Sequence, residues 1–311
     1  MIWSWSPTSD RLRLDLTRLA RVVPRLQEFY RKDFTAPDVT TYFAKTTFRD
    51  YRALELVTGS AAMHTPMDHD QLLYVIAQMG EAVNGGRVLE IGFGKGANIV
   101  YLADLFPRTG FVGIDLLDEH VAHANSNLRN LRNLRNVDFR KDDASSPVTA
   151  HASYDVIFGI ESCCYLDTVE KQTGFLRFVK RSLTPTGRLV IVDGYRSADF
   201  MEKPPDVQRA MLLAESGFRI REMPSKQTWR RLAARERLVL VDDVDLTAKA
   251  LPFWIRIWKV AHALLRVPWA LRAYFTRHEE TGANFVSLAM TAYALAMGSA
   301  EYGVLVFTQG P

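Results

Sequence analysis

The sequence contains only two cysteines, and they are neighbours, Cys163 and Cys164. The Cα atoms of adjacent residues lie about 3.8 Å apart, which is shorter than the usual span of a disulfide. The chain therefore has no disulfide framework, as is typical of proteins of a reducing cytosol. The two thiols also lack companions at the spacing of CxxC or HxxxH, which excludes a zinc site built on them.

Long apolar runs are absent as well. No window of about eighteen residues is apolar and uncharged, so the sequence predicts no membrane-spanning helix. The closest stretch, Phe285–Ala300, contains Ser, Thr and Gly and is interpreted as a helix of the core. The N-terminal stretch MIWSWSPTSDRLRLD lacks the apolar segment of a signal peptide. We therefore expect a cytoplasmic protein.

The net charge is small, +4 over 311 residues, but the bases are unevenly placed. Between Leu251 and Phe275 they alternate with Trp, Phe and Leu. Three interpretations stay open: an amphipathic helix pair whose arginines reach water, a helix on a membrane surface, and a basic lid over an anionic, apolar substrate. Nucleic acid is not expected as a partner, because the sequence has no long basic run and no recognition module.

Strand-like apolar runs alternate with helical patterns through the middle of the chain. The runs VLEI, FVGID, VDFR, YDVIFG and RLVIVD predict a mostly parallel α/β sheet. The later runs LVLVDDV and YGVLVF complete a doubly wound, Rossmann-like sheet of seven strands. A helical insert at about 246–283 precedes the last strand. We expect residues 1–80 to form a helical cap and residues 81–311 to form the main domain.

The cap is expected to contain helices, because its apolar residues recur at helical spacing. The predicted helices cover Asp10–Tyr30, Tyr42–Val57 and Gln71–Val83. Pro24 is expected to kink or divide the first of them.

The most specific motif is VLEIGFGKGAN, residues 88–98. Glu90 stands near the end of the predicted strand, and three alternating glycines follow before a helix: Gly92, Gly94 and Gly96. Glycines allow a tight turn and the close approach of a ligand to a helix N-terminus. The next strand ends at Asp115, about twenty residues on, where a ribose-binding carboxylate belongs. The motif predicts a nucleoside-binding βαβ unit, and the triphosphate-binding GxxxxGKS/T loop is absent.

The order of Glu90, GxGxG, Asp115, Asp143-Ala144 and an apolar fourth strand resembles the class I S-adenosylmethionine-dependent methyltransferases, over roughly residues 87–193. The resemblance implies S-adenosyl-L-methionine as cofactor. It implies that the three glycines surround the methionine part of the cofactor and that Glu90 holds this loop and the amino group. Asp115 would then bind both ribose hydroxyls.

The same resemblance assigns the remaining cofactor-binding residues. Asp143 would meet the adenine amino group, with Ala144 beside it, and Leu116 would flank the adenine. Ile160 and Glu161 directly follow the fourth strand and would line the reactive end of the cofactor.

The flanks resemble a narrower branch, the sterol and isoprenyl-diphosphate C-methyltransferase-like enzymes, which include many natural-product methyltransferases. The segments that carry this likeness are YFAKTTFRDYR…MHTPMD, GIESCCYL, VDDVDLT and GSAEYGVLVF. The branch has Gly-Phe before the sixth strand where this chain has Arg235-Glu236-Arg237, which argues against a sterol acceptor. The resemblance implies methylation of a small, lipophilic, isoprenoid-like metabolite, hydrophobic and anionic in character.

Two other functions stay open. One is N- or O-methylation of a polyketide, aromatic or amine, and the other is a non-catalytic cofactor-binding partner protein. Oligomerisation and peripheral membrane contact also stay open.

Methylation of an alkene carbon leaves a cation that must lose a proton, and a carboxylate or an aromatic face suits that step. The candidates for the catalytic site are Glu161, Tyr165 and His64. Glu161 is equally well placed to cap the next helix, and a loop histidine is often a surface residue. Cys163 and Cys164 are expected to fill apolar space, because no partner base is nearby in the sequence.

Three acids, Asp242, Asp243 and Asp245, form a DDVD stretch that we interpret as a turn after the sixth strand. Such a turn either binds Mg²⁺ or is simply solvated. No metal ligand is assigned.

Overall fold

A computed structural model of the chain describes residues 8–32, 36–46, 66–130, 134–148 and 153–310. The chain separates into two compact units, which we name the helical unit and the sheet unit. The helical unit comprises the described residues up to Met67 together with Tyr195–Met223 and Leu246–Tyr302. The sheet unit comprises Asp68–Gly194, Pro224–Asp245 and the described residues from Gly303.

The strands form one seven-stranded sheet. In chain order they are β1 Arg87–Ile91, β2 Gly110–Asp115, β3 Val137–Lys141, β4 Tyr154–Ile160, β5 Leu183–Arg196, β6 Leu238–Asp245 and β7 Ala300–Gln309. The order across the sheet is β3-β2-β1-β4-β5-β7-β6. The first five strands pair in parallel, and β6 pairs antiparallel with β7. The predicted seven-stranded α/β fold is confirmed.

The α-helices of the described residues are, in chain order, α1 Ser9–Val22, α2 Ala36–Thr46, α3 Pro66–Met79, α4 Ala97–Leu105, α5 Asp118–Asn130, α6 Val169–Ser182, α7 Pro205–Gly217, α8 Lys226–Arg235, α9 Thr247–Leu264, α10 Pro268–Arg277 and α11 Glu279–Ala296. None of these helices combines the length and the apolar content needed to cross a membrane.

The strand order reverses beside β1, which has β2 on one side and β4 on the other. In open α/β sheets, ligands bind outside the carboxyl ends of the strands at such a reversal. The central strands are apolar along most of their length, because a parallel sheet is buried on both faces. Val156, Ile157 and Phe158 of β4, for example, are fully buried. The residues that follow β1 and β4 are therefore at the expected ligand-binding edge of the sheet.

The helical unit packs around α11, an apolar helix that contacts α7 and α9. Its core includes Leu12 and Leu19 of α1 and Tyr293 of α11. A Cβ at Gly217 would lie 2.1 Å from the Ser287 Oγ and 2.4 Å from the Ala283 carbonyl oxygen. Glycine at the end of α7 therefore allows α7 and α11 to approach closely.

The predicted helices of the N-terminal region agree with the structure where it is described. The first helix ends at Val22, and a 3₁₀ helix, Leu26–Arg31, follows Pro24, so this proline divides the segment. The predicted helix Tyr42–Val57 overlaps α2 and then runs into residues 47–65, which lie outside the described residues. The third predicted helix, Gln71–Val83, overlaps α3 and the 3₁₀ helix Gly80–Asn84.

The helical insert predicted at about 246–283 contains α9 and α10. The next helix, α11, overlaps the core helix that the sequence predicted at Phe285–Ala300. The domain division at residue 80 stays a prediction. The boundaries of the two compact units differ from this predicted division, because the helical unit also includes residues 195–223 and 246–302.

Candidate active site

The loop between β1 and α4 is shaped by three glycines that all have left-handed backbone angles. Their φ values are +68° at Gly92, +57° at Gly94 and +81° at Gly96. A Cβ at Gly92 would lie 2.6 Å from the Ser162 Cβ, and one at Gly96 would lie 2.7 Å from the Phe139 ring. A Cβ at Gly94 would meet none of the described atoms within 4 Å. The outer two glycines therefore permit internal packing, and Gly94 borders open space.

Glu90 lies beneath this loop and is almost completely buried. Its Oε1 accepts a hydrogen bond of 2.7 Å from the Asn98 amide. Its Oε2 is buried with no hydrogen-bond partner among the described residues. Burial, with a smaller contribution from the charge of Asp115, raises the pKa of Glu90 to about 8. A buried, unsatisfied carboxyl oxygen is costly unless something binds it, so this site fits a ligand that brings a donor or a cation.

Asp115 ends β2 and anchors the glycine loop. Its Oδ2 accepts a hydrogen bond of 2.9 Å from the Gly94 N–H. Its Oδ1 accepts one of 3.0 Å from the Leu117 N–H, and the His120 Nδ1 lies 3.1 Å from Oδ2. The carboxylate thus fixes the backbone at Gly94, the glycine that borders open space. Binding of ribose hydroxyls by Asp115 stays a prediction, as does the flanking of adenine by the half-exposed Leu116.

His120 was not among the predicted site residues. This buried histidine lies in the first turn of α5, five residues after Asp115. A pattern in the sequence could have identified His120: an Asp at the end of a strand is followed by a helix with a His in its first turn.

The two adjacent acids after β3 have different environments. Asp142 is buried and accepts hydrogen bonds from the N–H groups of Asp143 and Val148. Asp143 is exposed, and its Oδ1 accepts bonds from the Ser145 N–H and Oγ at 2.8 and 2.7 Å. Asp142 therefore holds the loop, while Asp143 and the half-buried Ala144 stand at its surface. Their contact with adenine stays a prediction.

Glu161 directly follows β4 and has an unusual left-handed backbone, with φ of +50°. Its N–H donates to the Val192 carbonyl at 2.9 Å, which ties it to the carboxyl end of β5. Its Oε1 accepts a hydrogen bond of 3.2 Å from the amide of Gln71, a buried residue of α3. A non-glycine residue at positive φ is strained and is frequently part of a functional site.

The residues on either side of Glu161 join the ends of β1 and β4. The Ser162 hydroxyl donates to the Ile91 carbonyl at 2.6 Å, so the turn after β4 lies directly on the turn after β1. Ile160, the last residue of β4, is half-buried. The structure thereby brings Glu161 and the glycine loop to the same edge of the sheet unit.

A second carboxyl group, Asp193 of β5, is buried behind this turn. Its Oδ2 accepts a hydrogen bond of 2.9 Å from the Cys164 N–H. Burial, and then the charge of Glu161, raises the pKa of Asp193 to about 7. Asp193 and Gln71 were not predicted as site residues, because neither lies in a recognisable motif and both reach the site only through the fold.

The two cysteines and Tyr165 form a short 3₁₀ helix, Cys163–Tyr165. α6 begins only at Val169. Burial raises the pKa of both thiols well above the usual value, so they are protonated at neutral pH. This agrees with a packing role. Tyr165 is half-buried, and its predicted catalytic role stays a prediction.

His64, the third predicted catalytic residue, lies outside the described residues.

The run LVLVDDV is a strand as predicted, and this strand continues to Asp245, so the interpretation of DDVD as a turn is wrong. Asp242, Asp243 and Asp245 lie within β6, opposite Val306, Leu305 and Gly303 of β7. Successive residues of a strand point to opposite faces, so Asp242 faces away from Asp243 and Asp245 and the three acids do not converge. Asp243 accepts a hydrogen bond of 2.8 Å from Lys226 and pairs with Arg230. No cluster of three or more His, Cys, Asp or Glu in the described parts of the chain has the geometry of a metal site.

Comparisons with known proteins agree with this geometry. Residues 88–187 match the family model described as a methyltransferase domain. The chain is 25% identical over 125 residues to the erythromycin 3″-O-methyltransferase of Saccharopolyspora erythraea, a match covering 40% of each protein. The chain spans 20% of the length of another curated relative, an uncharacterized protein of Rickettsia prowazekii.

Solved structures share the fold at low sequence identity. One is the geranyl diphosphate C-methyltransferase from Streptomyces coelicolor, solved with Mg²⁺, geranyl-S-thiolodiphosphate and S-adenosyl-L-homocysteine. It has a TM-score of 0.61 and 18% identity, and the match covers 93% of this chain and 99% of that one. The cyclase SpnF has a TM-score of 0.62 and 16% identity, with coverage of 89% and 96%. The family match and the shared fold confirm the predicted resemblance, and the chain carries a methyltransferase domain of the class I S-adenosylmethionine-dependent fold.

Proposed function

We propose that this chain is an S-adenosyl-L-methionine-dependent methyltransferase that acts on a small, lipophilic, isoprenoid-like metabolite. The observation that carries the cofactor assignment is the pairing of two features at the end of β1. One is Gly94, which faces open space at a left-handed backbone angle, and the other is Glu90, whose buried Oε2 has no partner among the described residues. A loop of this kind has room for the amino-acid part of a cofactor. The Glu90 carboxyl group can then bind the cationic amino group of that part.

Three residues of the sheet unit have separate roles in binding the cofactor. Gly94 allows the cofactor to approach the backbone, and Asp115 holds that backbone in place through the Gly94 N–H. Glu90 supplies the negative charge below the loop. The sulfonium of S-adenosylmethionine brings an activated methyl group, so the protein mainly has to orient the acceptor and exclude water.

Methylation at carbon is the reaction in which Glu161 has the most direct chemical role. Its carboxylate stands at the carboxyl edge of β4 and is oriented by the Gln71 amide. A cation left on a methylated alkene is stabilised by a nearby carboxylate, which then accepts the departing proton. The fold shared with a geranyl diphosphate C-methyltransferase is compatible with an acceptor of this class.

O-methylation is the second candidate, and the sequence match to an erythromycin 3″-O-methyltransferase favours it. Here Glu161 would act as the general base that takes the hydroxyl proton. The shared fold does not itself choose between reactions, because SpnF, which has this fold, is a cyclase.

The cofactor assignment is tested by calorimetric titration of S-adenosylmethionine into Gly94→Val. The valine side chain fills the open space at the loop, so we expect binding to be lost. Gly80→Val is the matched control, because Gly80 has a similar φ, +48°, and likewise meets none of the described atoms within 4 Å. Equal affinity of both variants and the parent would overturn the assignment.

The acceptor is tested with isotopically labelled S-adenosylmethionine and a panel of isoprenyl diphosphates, sterols, fatty acids, macrolides and aromatic amines. The diphosphates are assayed with and without Mg²⁺, since a diphosphate can bring its own cation. NMR of the labelled product distinguishes a new C–CH₃ group from O–CH₃ or N–CH₃. Cofactor binding without turnover on any acceptor would favour a non-catalytic partner protein.

A further inference from the structure

The turn between α9 and α10 exposes an unusual group of apolar side chains. Trp269 is 77% exposed, and Leu264 and Val267 are 41% and 43% exposed. They lie within six residues of one another, at the end of α9 and the start of α10, and we name this segment the apolar turn. Single exposed apolar residues are ordinary on protein surfaces, but a cluster with a tryptophan indicates a binding surface.

Four backbone N–H groups in and beside the apolar turn are already hydrogen-bonded. The N–H groups of Leu265, Arg266 and Val267 donate to carbonyls of α9, and the Leu271 N–H donates to Val267. A turn satisfied in this way can enter an apolar medium without leaving those donors unpaired. These four groups therefore do not oppose insertion.

Bases surround the apolar turn. From Thr247 to His278 the sequence has six lysines and arginines and no acidic residue. On α9, Arg256, Lys259 and Ala263 are exposed at helical spacing, so they share one face that leads to the turn. On α10, Arg272 and Arg277 are also exposed. The positive field around an apolar tip complements a surface that is both anionic and apolar.

We propose that the apolar turn and its flanking bases dock the protein on an anionic phospholipid surface. Trp269 would lie at the level of the headgroups, and Leu264 and Val267 would reach the acyl boundary, as in interfacial amphipathic segments. The exposed bases contact anionic headgroups. Branched aliphatic side chains favour this partner over nucleic acid, since they offer neither a stacking surface nor hydrogen bonds to bases. The proposal is independent of the chemistry proposed for the sheet unit.

Co-sedimentation with vesicles tests the proposal. We expect binding to phosphatidylcholine vesicles that contain phosphatidylglycerol and little binding to phosphatidylcholine alone. Binding should weaken strongly between about 0.05 and about 0.5 M salt, because the screening length shortens severalfold. Each base near the surface is worth about fivefold in partitioning. Arg256→Glu/Lys259→Glu should therefore lower binding by about tenfold or more, and Val267→Ser/Trp269→Ala should lower it by about tenfold.

Two control variants carry similar changes on exposed helix positions of the sheet unit. Arg129→Glu/Arg181→Glu reverses two exposed bases, and Leu105→Ser removes an apolar side chain that is 50% exposed. Both should bind vesicles like the parent. Vesicles with brominated acyl chains should quench the parent's fluorescence more than that of Trp269→Phe, which reports insertion of this one tryptophan.

Several results would overturn the proposal. These are no vesicle binding by the parent, equal loss in the control variants, and equal quenching in Trp269→Phe. Binding of an oligonucleotide in place of vesicles would identify nucleic acid as the partner. A shift to a smaller species in Val267→Ser/Trp269→Ala during sedimentation would show that a second copy of the chain covers the patch.

Discussion

Two glutamates at neighbouring strand ends have opposite environments, and this difference separates their roles. Glu90 is buried with one oxygen unsatisfied among the described residues. Glu161 is half-buried and accepts a bond from Gln71. A carboxyl group kept neutral by burial responds strongly when a cation arrives, whereas a more accessible carboxylate is available to exchange a proton. Glu90 is thus suited to cofactor binding and Glu161 to chemistry.

Binding of S-adenosylmethionine is predicted to release a proton from Glu90. With its pKa raised to about 8 by burial, this group is mostly protonated at neutral pH. A cationic amino group beside Oε2 stabilises the carboxylate and lowers its pKa, so the proton leaves on binding. Calorimetry in buffers with different ionisation enthalpies measures this release. The release should vanish in Glu90→Gln, and a parent protein whose binding heat is independent of buffer would contradict the assignment.

Asp193 is predicted to make the ligand-free protein less stable as the pH rises. Its folded pKa, about 7, lies above the ordinary value of 3.8, so the folded state holds the proton more tightly than the unfolded state. The resulting destabilisation is absent below about pH 4, grows as the pH rises towards 7, and is complete above it.

Urea denaturation of the parent and of Asp193→Asn across that range tests this sign. Asparagine cannot ionise, so the stability of the variant relative to the parent should increase from about pH 4 to about pH 7. Comparing the two proteins cancels the titration of the groups that do not interact with Asp193. A constant or decreasing difference would show that Asp193 is ionised without penalty.

Glu161→Gln is predicted to separate binding from turnover. The amide keeps the shape of the side chain and removes the base, so cofactor affinity should stay near that of the parent. Turnover should fall by a factor of about 10² to 10⁴, the usual contribution of a general base. Cys163→Ala is the control, since this thiol is buried and protonated and should affect packing more than rate. Parental turnover by Glu161→Gln on the true acceptor would exclude the proposed role.

At the scale of the elements, the junction of the turns after β1 and β4 explains why Gly92 must be glycine. Gly92→Ala combines a left-handed backbone with a Cβ that would lie 2.6 Å from the Ser162 Cβ. We expect a loss of stability of about 2–4 kcal/mol, from backbone strain and overpacking together. Gly94→Ala shares the backbone strain without the clash and should lose about 1–2 kcal/mol. Equal losses by urea denaturation would show that the Ser162 contact carries no energy.

The sequence correctly predicted the strands and helices whose own residue pattern determines their structure. The prediction failed where pairing with a distant strand determines the structure. The apolar runs of β1 to β5 are strands in the structure because their composition suits burial on both faces. The acids of the DDVD stretch have low strand propensity, yet they are held in β6 by antiparallel pairing with β7. That pairing joins residues about sixty positions apart, and no local pattern encodes it.

The candidate site was likewise predictable only in part. The glycine motif placed Gly94 and Asp115 correctly at the sheet edge, because a strand, a glycine turn and a helix form one local unit. Gln71 and Asp193 come from elements distant in sequence from Glu161, and only the fold brings them near it.

At the scale of the whole molecule, the helical unit is assembled from three separate stretches of chain that buried polar groups join. Tyr293 of the third stretch donates to Asp15 of the first at 2.8 Å. Glu215 of the second stretch, fully buried, pairs with Lys32 of the first and receives two hydrogen bonds from Arg196, at 2.8 and 2.6 Å. Because Glu215 links the first and second stretches, this single buried carboxylate is important for the stability of the entire helical unit.

Glu215→Gln is predicted to destabilise the helical unit by about 3–5 kcal/mol. The amide cannot neutralise the two largely buried cations, Lys32 and Arg196, and among the described residues Arg196 keeps only the exposed Glu222 as an acidic partner. Breaking a buried pair leaves an uncompensated charge. Glu28→Gln is the control, because Glu28 is paired with Arg25 at an exposed position where a pair is worth about 0–1 kcal/mol. Tryptophan fluorescence during urea unfolding reports on this unit, which contains Trp254, Trp258 and Trp269. If both variants unfolded at the same urea concentration, the buried cluster would contribute no more than a surface pair, and apolar packing alone would hold the three stretches together.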